Sequence, residues 1–175
     1  MRYILRADSS PTIGSGHVMR LSAIAEELIA RGEKVIFIGQ HTEIPWLASR
    51  INALGFSQIH QSSTGYISNP VTDVLILDSY TLPIEDDFLQ QKKWRRIVAI
   101  TDDLTPPYLA DLIIRPGVSV NWKPDLDIKF FSGPDFIPFR KSITKLVKSP
   151  RDDEILEISV NRGRNSVGRV QPCQG

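Results

Sequence analysis

The chain has 175 residues, of which 41% are hydrophobic, enough to bury one sizeable core and form a single domain. Its 21 basic and 20 acidic side chains leave a formal charge of +1, so no overall field favours nucleic acid or an acidic membrane. The single cysteine, Cys173, excludes a disulfide framework and a cysteine-based zinc site. Without a signal-like or membrane-spanning apolar run, the chain is predicted to be soluble and cytoplasmic.

The first part of the chain alternates strand and helix patterns. A short apolar run at residues 3–5 predicts the first strand, and residues 22–31 carry apolar side chains at helical spacing. A β-branched run at 34–39 predicts a second strand buried on both faces. A helix over 44–54 and a short strand at 58–60 follow. This alternation is typical of crossover connections in a parallel sheet.

The alternation continues in the second part. Residues 73–77 are the clearest buried strand, residues 85–93 predict a helix, and residues 96–100 repeat the strand pattern. The remaining elements are two strands and a connecting helix, at 111–114, 130–133 and 142–148. The sequence therefore predicts an α/β fold, a Rossmann-like doubly wound parallel sheet.

The loop between the first strand and the first helix is the most informative segment, Arg6-Ala-Asp-Ser-Ser-Pro-Thr-Ile-Gly-Ser-Gly-His17-Val-Met-Arg20. Gly14 and Gly16 allow a tight turn and close approach to a ligand, and the following helix offers N–H groups and the positive end of its dipole to an anion. Phosphate or pyrophosphate suits such a loop. The spacing Gly-x-Gly-His fits neither a dinucleotide fingerprint nor a P-loop, which disfavours a nicotinamide dehydrogenase and a P-loop NTPase.

Carboxylates follow two of the predicted strands. Asp78 comes directly after residues 73–77, and Asp102-Asp103 comes shortly after residues 96–100. The carboxyl ends of parallel strands meet at one sheet edge, where open α/β folds bind ligands. Asp102-Asp103 is similar to metal-binding pairs, but no histidine or third carboxylate stands at a supporting spacing. We therefore predict no metal site, and helix capping is the alternative role for at least one of the pair.

These motifs together resemble a known family. The matching residues are Arg6-x-Asp8, Ile13-Gly14-x-Gly16-His17-Val18-Met19-Arg20, Leu77-Asp78-Ser79-Tyr80 and Asp102-Asp103, in this order. They resemble the N-terminal half of the UDP-sugar hydrolases of pseudaminic acid biosynthesis, which remove UDP from UDP-2,4-diacetamido-2,4,6-trideoxy-β-L-altropyranose. The resemblance runs over about residues 2–148. It implies a glycosyltransferase-B architecture with the active site between two Rossmann-like halves, a UDP-sugar as the partner, and no cofactor.

The resemblance also implies roles for individual residues. His17 would activate the water that attacks the anomeric carbon, and imidazole is a suitable general base at neutral pH. Without that chemistry, His17 would only cap the start of the helix. Tyr80 would be the second catalytic residue, bonding the sugar or the water, unless its ring packs against the sheet edge. The residues predicted to bind substrate are Arg6, Asp8, Gly14, Ser15, Gly16, Arg20, Asp78 and Asp103.

Two of these side chains have open alternatives. Asp8 orients His17 or binds sugar hydroxyls, unless it caps the turn that follows it through its own backbone. Arg20 reaches a phosphate, unless it is a solvated helix residue or a partner of Asp8.

Four further residues are assigned no function. His41 and His60 are predicted to be surface or loop residues. Trp46 and Trp94 are predicted to lie on helix faces that turn toward the core.

The end of the chain departs from the family pattern. The family begins its second domain with a strand and a Gly-Gly-x-Asp turn, whereas this sequence reads Ile158-Ser159-Val160-Asn161-Arg162-Gly163-Arg164-Asn165. We expect residues 1–148 to form the N-terminal domain and residues 149–175 to be a linker and the truncated start of a second domain. An exposed inter-domain face would then be open to a partner or a second copy of the chain.

The sequence therefore predicts a nucleotide-sugar hydrolase of surface polysaccharide biosynthesis, weak or inactive as this short chain. Two other classes stay open, the acceptor-binding half of a glycosyltransferase and a non-catalytic remnant. Acceleration of UDP release by an acceptor sugar would favour the first. A His17→Ala variant that changes no measurable property would favour the second.

Overall fold

In the part of the chain that the structure describes, seven strands form a single parallel sheet, which confirms the predicted parallel α/β class. The structure is a computed structural model and describes residues 1–79, 82, 86–102, 110–117 and 128–144. The strands are β1 (Arg2–Arg6), β2 (Lys34–Ile38), β3 (Gln58–His60), β4 (Asp73–Leu77), β5 (Arg96–Ile100), β6 (Leu112–Pro116) and β7 (Lys129–Gly133). Their order across the sheet is β3-β2-β1-β4-β5-β6-β7.

Helices α1 (Gly16–Ala30) and α2 (Pro45–Ala53) pack on one face of this sheet. Val18, Leu21 and Ala25 stand at helical spacing on α1 and are fully buried in the core on that face. The helix ends at Ala30, and the chain turns away at Gly32, which has a positive φ and donates its N–H to the carbonyl of Ile29. The apolar stripe of α1 thus fixes which way its polar N-terminal turn faces.

On the opposite face of the sheet, the described residues 86–93 form short turns rather than the predicted helix over 85–93. Two 3₁₀ turns, Asp87–Leu89 and Gln91–Lys93, occupy this segment. The helix prediction was wrong because Phe88 and Leu89, the apolar residues within these turns, are adjacent and form no helical stripe. Gln90 is extended and separates the two turns.

Trp94 lies directly before β5, at the end of these turns and not on a helix. It is 5% exposed, and its Nε1–H donates to the carbonyl oxygen of Phe88 at 2.7 Å. Its ring stacks on Tyr66 with the planes 8° apart and meets Phe88 edge-on. Trp94 is therefore a core residue, as predicted, although no helix carries it.

The prediction for Trp46 was wrong. Trp46 is 55% exposed on α2, because Leu47 and Ile51 form the buried side of that helix. His41 lies in the loop between β2 and α2, one of its two predicted places, but it is not at the surface: it is only 1% exposed, its Nδ1 lies 2.9 Å from the carbonyl oxygen of Gly39, and its ring meets Phe37 edge-on. His60 ends β3 and is partly buried.

The last described elements follow the predicted order with shifted bounds. Strand β6 continues through Pro116, two residues beyond the end of the predicted strand at 111–114, and Pro116 is paired in register with Gly133 of β7. A short helix, α3 (Lys141–Thr144), occupies the beginning of the predicted helix at 142–148. The expected linker and truncated second domain, residues 149–175, lie outside the described residues.

Candidate functional site

The candidate site lies where the winding of the sheet reverses. From β1 the chain passes through α1 to β2 on one side, whereas β4 is followed by β5 on the other side. β1 and β4 are neighbours, with Arg6 opposite Leu77 at their carboxyl ends. In open α/β sheets, ligands bind in the crevice at such a switch point. The loop that starts at Ala7 and the residues that follow Leu77 therefore share the position that this fold reserves for ligands.

His17 and Asp78 form a hydrogen-bonded pair at this point. The imidazole Nδ1 lies 2.6 Å from Asp78 Oδ1, and both side chains are buried. His17 is in the first turn of α1, and Asp78 follows β4, so the pair joins a helix N-terminus to the central strand. Arg20 Nη2 also lies 3.1 Å from His17 Nδ1, but the contact from Nδ1 to Asp78 is shorter, and an ionised carboxylate only accepts hydrogen bonds. The proton of this pair is therefore assigned to Nδ1, and Nε2 is then the nitrogen without a proton.

Arg20 holds the same carboxylate from the other side. Its Nε donates to Asp78 Oδ2 at 2.8 Å, and its Nη2 donates to Asp78 Oδ1 at 2.9 Å. Its Nη1 donates to Asp102 Oδ1 at 2.7 Å. Asp78, which is 0% exposed, is thereby bound by a histidine and an arginine that stand three residues apart on α1.

The charge of Arg20 is strongly favoured in this setting. Burial alone would lower the pKa of its guanidinium. The hydrogen bond that Arg20 donates to Asp102, together with the negative charge of Asp78 and the hydrogen bonds that Arg20 donates to it, outweighs that effect and raises the pKa of Arg20 above its ordinary value. Arg20 is therefore neither a solvated helix residue nor a partner of Asp8.

The loop before α1 is closed by its own hydrogen bonds. Ser10 Oγ accepts from the N–H groups of Thr12 and Ile13, and the Gly14 N–H donates to the Ser10 carbonyl at 2.8 Å. Gly14 has φ +85°, a conformation that favours glycine. Ser15 precedes the helix, and its side chain makes no capping hydrogen bond. The loop thus brings the first turn of α1 to the sheet edge without a side-chain cap from Ser15.

Arg6 and Asp8 form a separate pair at the same edge. Arg6 Nη1 lies 2.6 Å from Asp8 Oδ1, which also accepts the Gln40 N–H at 2.9 Å. Side chains alternate between the two faces of a strand, so Arg6 lies on the same face of β1 as Ile4. The side chain of Ile4 belongs to the core on the face away from α1. Asp8 therefore ties the ends of β1 and β2 together, and Asp78 is the carboxylate at His17 Nδ1.

The structure thus brings together part of the predicted set. His17, Arg20 and Asp78 meet, with the glycine loop beside them, and Arg6 with Asp8 lies across the sheet edge. Tyr80 and Asp103 lie outside the described residues. Asp102 was considered only as one of a metal-binding or helix-capping pair. The sequence signal that could have found it is its place shortly after β5, at the same edge as Asp78.

A second feature lies away from this cluster. A surface cleft of about 470 Å³ is lined by residues 63–68, 86–88 and Lys93. Its charged groups serve local structure, because Asp86 accepts the Phe88 N–H and Asp87 pairs with Lys93. It holds no imidazole, so general-base chemistry is better placed at His17.

Comparison with protein-family models, curated proteins and solved structures finds no match. Among the described residues, no three His, Cys, Asp or Glu side chains converge as metal ligands. Nor does this part of the chain hold a helix long and apolar enough to cross a membrane.

Proposed function

We propose that this chain is the N-terminal, glycosyltransferase-B-type half of a cytoplasmic nucleotide-sugar hydrolase that acts in pseudaminic acid or surface polysaccharide biosynthesis. The observation that carries the proposal is the 2.6 Å contact between His17 Nδ1 and the buried Asp78 carboxylate at the switch point of the sheet. A histidine oriented by a carboxylate is an arrangement that general-base catalysis commonly uses. The motif resemblance described above supports the choice of a UDP-sugar as substrate.

In the proposed reaction, Asp78 accepts the Nδ1–H of His17, and Nε2 takes a proton from water. The water oxygen forms a bond to the anomeric carbon as the bond from that carbon to the phosphate oxygen breaks. The departing UDP keeps the electron pair of the broken bond. Asp78 stays ionised and stabilises the imidazolium that forms, and the products are a free sugar and UDP.

Other predicted site residues have supporting roles in this proposal. The glycine loop and the first turn of α1 offer backbone N–H groups to the diphosphate as its negative charge develops. Asp8, Arg6 and Tyr80 would position the sugar, and Asp103 would bind substrate beside them. A second domain, supplied by a longer chain or a partner, would hold the nucleotide and complete the cleft.

The test is UDP release from the altrose-configured UDP-sugar by the purified 175-residue chain. His17→Ala removes the base, and we expect a loss of about 10²- to 10⁴-fold in rate. Asp78→Asn keeps the shape but favours the wrong tautomer, and we expect a similar loss. His60→Ala and Asp73→Asn are the matched controls and should keep activity at a temperature where they stay folded.

Equal activity of wild type and His17→Ala would contradict the proposal. If the wild-type chain releases no UDP, the assay is repeated with the nucleotide-binding half of a related hydrolase added in trans. Continued absence of His17-dependent release would also contradict it. Release that requires an added acceptor sugar would replace hydrolysis with glycosyl transfer.

A further inference from the structure

Most of the guanidinium N–H groups of Arg20 donate to carboxylates of the protein itself. Nε and Nη2 bind the two oxygens of Asp78, and Nη1 binds Asp102. From the sequence, this side chain is predicted to reach a phosphate, with a solvated position or a pairing with Asp8 as the alternatives. Three of the five N–H donors that a guanidinium carries are engaged with carboxylates, and the side chain is largely buried.

One oxygen of Asp78, Oδ1, is contacted by both His17 and Arg20. Asp78 Oδ1 lies 2.6 Å from His17 Nδ1 and 2.9 Å from Arg20 Nη2, while Oδ2 is held by Arg20 Nε at 2.8 Å. Arg20 Nη2 also lies 3.1 Å from His17 Nδ1, and because both nitrogens then direct a proton at Asp78 Oδ1, that contact is not itself a hydrogen bond. With both oxygens fixed by a planar fork, the carboxylate cannot turn its acceptor away from the imidazole without breaking charge-assisted hydrogen bonds. Asp102 in turn fixes the far end of the guanidinium from the end of β5.

We propose that Arg20 is a positioning residue that acts through Asp78. It fixes the orientation of the Asp78 carboxylate so that His17 is held as the Nδ1–H tautomer, and Asp102 fixes the Arg20 guanidinium. We call this arrangement of Arg20, Asp78 and Asp102 the tautomer lock. The catalytic meaning of this lock rests on the proposed function, because a hydrolase needs Nε2 as its base. The tautomer itself is a property of the folded chain and is measured without substrate.

The alternative role is a direct phosphate ligand. A phosphate ligand contributes binding energy to the substrate, so its loss mainly raises KM. A positioning residue sets the geometry of the base, so its loss mainly lowers kcat, by about a hundredfold for a displacement near 1 Å. The Arg20→Lys variant distinguishes the effect of charge from the effect of geometry, because lysine keeps the positive charge but lacks the planar guanidinium with its two parallel N–H donors.

The experiment measures the ¹⁵N chemical shifts of the histidine rings in the full-length chain, at a pH where imidazoles are neutral. The chain has three histidines, and His17→Ala assigns the signal of interest. In the wild type we expect a single Nδ1–H pattern at His17. In Arg20→Gln we expect the ratio of the minor to the major tautomer to rise at least about tenfold. Arg20→Lys should resemble Arg20→Gln rather than the wild type.

Two controls keep the result interpretable. Arg31→Gln makes the same change at the end of the same helix, at an exposed pair with Glu27, and should leave the His17 signal unchanged. Asp102→Asn alters an exposed side chain and leaves both Asp78 contacts in place. It should shift the tautomer ratio in the same direction by a smaller amount, and it decides the question if Arg20→Gln does not fold.

A wild-type pattern in folded Arg20→Gln, or in Asp102→Asn if the former does not fold, would overturn the proposal. Full restoration by Arg20→Lys would overturn the role of the fork and leave only the charge. If the wild-type chain shows the tautomer lock but never hydrolyses a UDP-sugar, the proposed function fails and the lock stands. If an active enzyme lacks the lock, the role of Arg20 fails and the proposed function stands.

Discussion

At the scale of single residues, two glycines near the candidate site have different reasons to be glycine. Gly39, at the end of β2, has φ +154°, and a Cβ there would lie 1.6 Å from the carbonyl oxygen of Ala7. Gly16 has no such conformation, and a Cβ there would meet nothing within 4 Å. The protein itself therefore requires glycine at position 39. At position 16 only a bound ligand would require it.

Gly39→Ala should destabilise the chain by about 3 kcal/mol, because backbone of β1 or β2 must move to relieve the clash. Gly16→Ala should change the unfolding free energy by less than about 1 kcal/mol. Urea denaturation followed by circular dichroism measures both. Equal stability of the two variants would contradict this interpretation of Gly39. A stable Gly16→Ala chain that loses UDP release would place a ligand against position 16.

At the scale of elements, β4 shows how one strand serves both structure and the candidate site. It is the middle strand of the sheet, and it has a buried aspartate at its start and another just after its end. Asp73 pairs with Arg2 at the amino edge, and Asp78 meets His17 and Arg20 at the carboxyl edge. Only the carboxyl edge lies at the switch point, so chemistry is expected from Asp78 alone.

Substitutions of Trp94 and Trp46 test which side chains are buried against the sheet. Trp94 packs between Tyr66 and Phe88 in the core on the face away from α1, whereas Trp46 projects from α2. Trp94→Ala should lower the unfolding free energy by about 3–5 kcal/mol, since it leaves a cavity and removes the bond to the Phe88 carbonyl. Trp46→Ala should change it by no more than about 0.5 kcal/mol. Thermal and urea unfolding compare the pair, and similar losses would contradict the described core.

At the scale of the whole molecule, an ion pair between buried Asp73 and partly exposed Arg2 links stability to pH. Burial would raise the pKa of Asp73, but its bonds from Arg2, the Asn69 N–H and the Thr72 hydroxyl outweigh burial and lower that pKa below its usual range. Unfolding restores an ordinary carboxyl with a pKa of about 3.9. The ionised form is therefore bound more tightly in the folded protein than in the unfolded chain.

It follows that the contribution of Asp73 is fully present above about pH 4 and is lost as the pH falls through its lowered folded pKa. Asp73→Asn lacks this titration. The stability advantage of the wild type over this variant should be constant at pH 5–7 and shrink steadily toward pH 2 in urea titrations. An advantage that does not change with pH would show that Asp73 acts only through packing and neutral hydrogen bonds.

The predictions from sequence succeeded where a pattern is local and periodic. The apolar stripe of α1, the β-branched run of β2 and the buried run of β4 each determine an element by their own spacing. The prediction for the segment before β5 failed because its burial comes from Trp94 and Phe88 packing on the sheet, which no helical period announces. The prediction for Trp46 failed for a similar reason, since Leu47 and Ile51 already supply the buried face of α2.

By itself, the sequence determined the parallel α/β class and the glycine loop that follows the first strand and ends in His17 and Arg20. The structure begins α1 at Gly16, earlier than the predicted helix over 22–31, and so places both side chains on the helix. The tertiary structure alone decided which carboxylate meets them. Asp8, Asp78 and Asp102 all lie near strand ends, and only the order of β1, β4 and β5 in the sheet brings Asp78 to His17 and Asp102 to Arg20. Hydrogen bonds act over about 3 Å, so partners separated by sixty or more residues are chosen by sheet order, which no local pattern encodes.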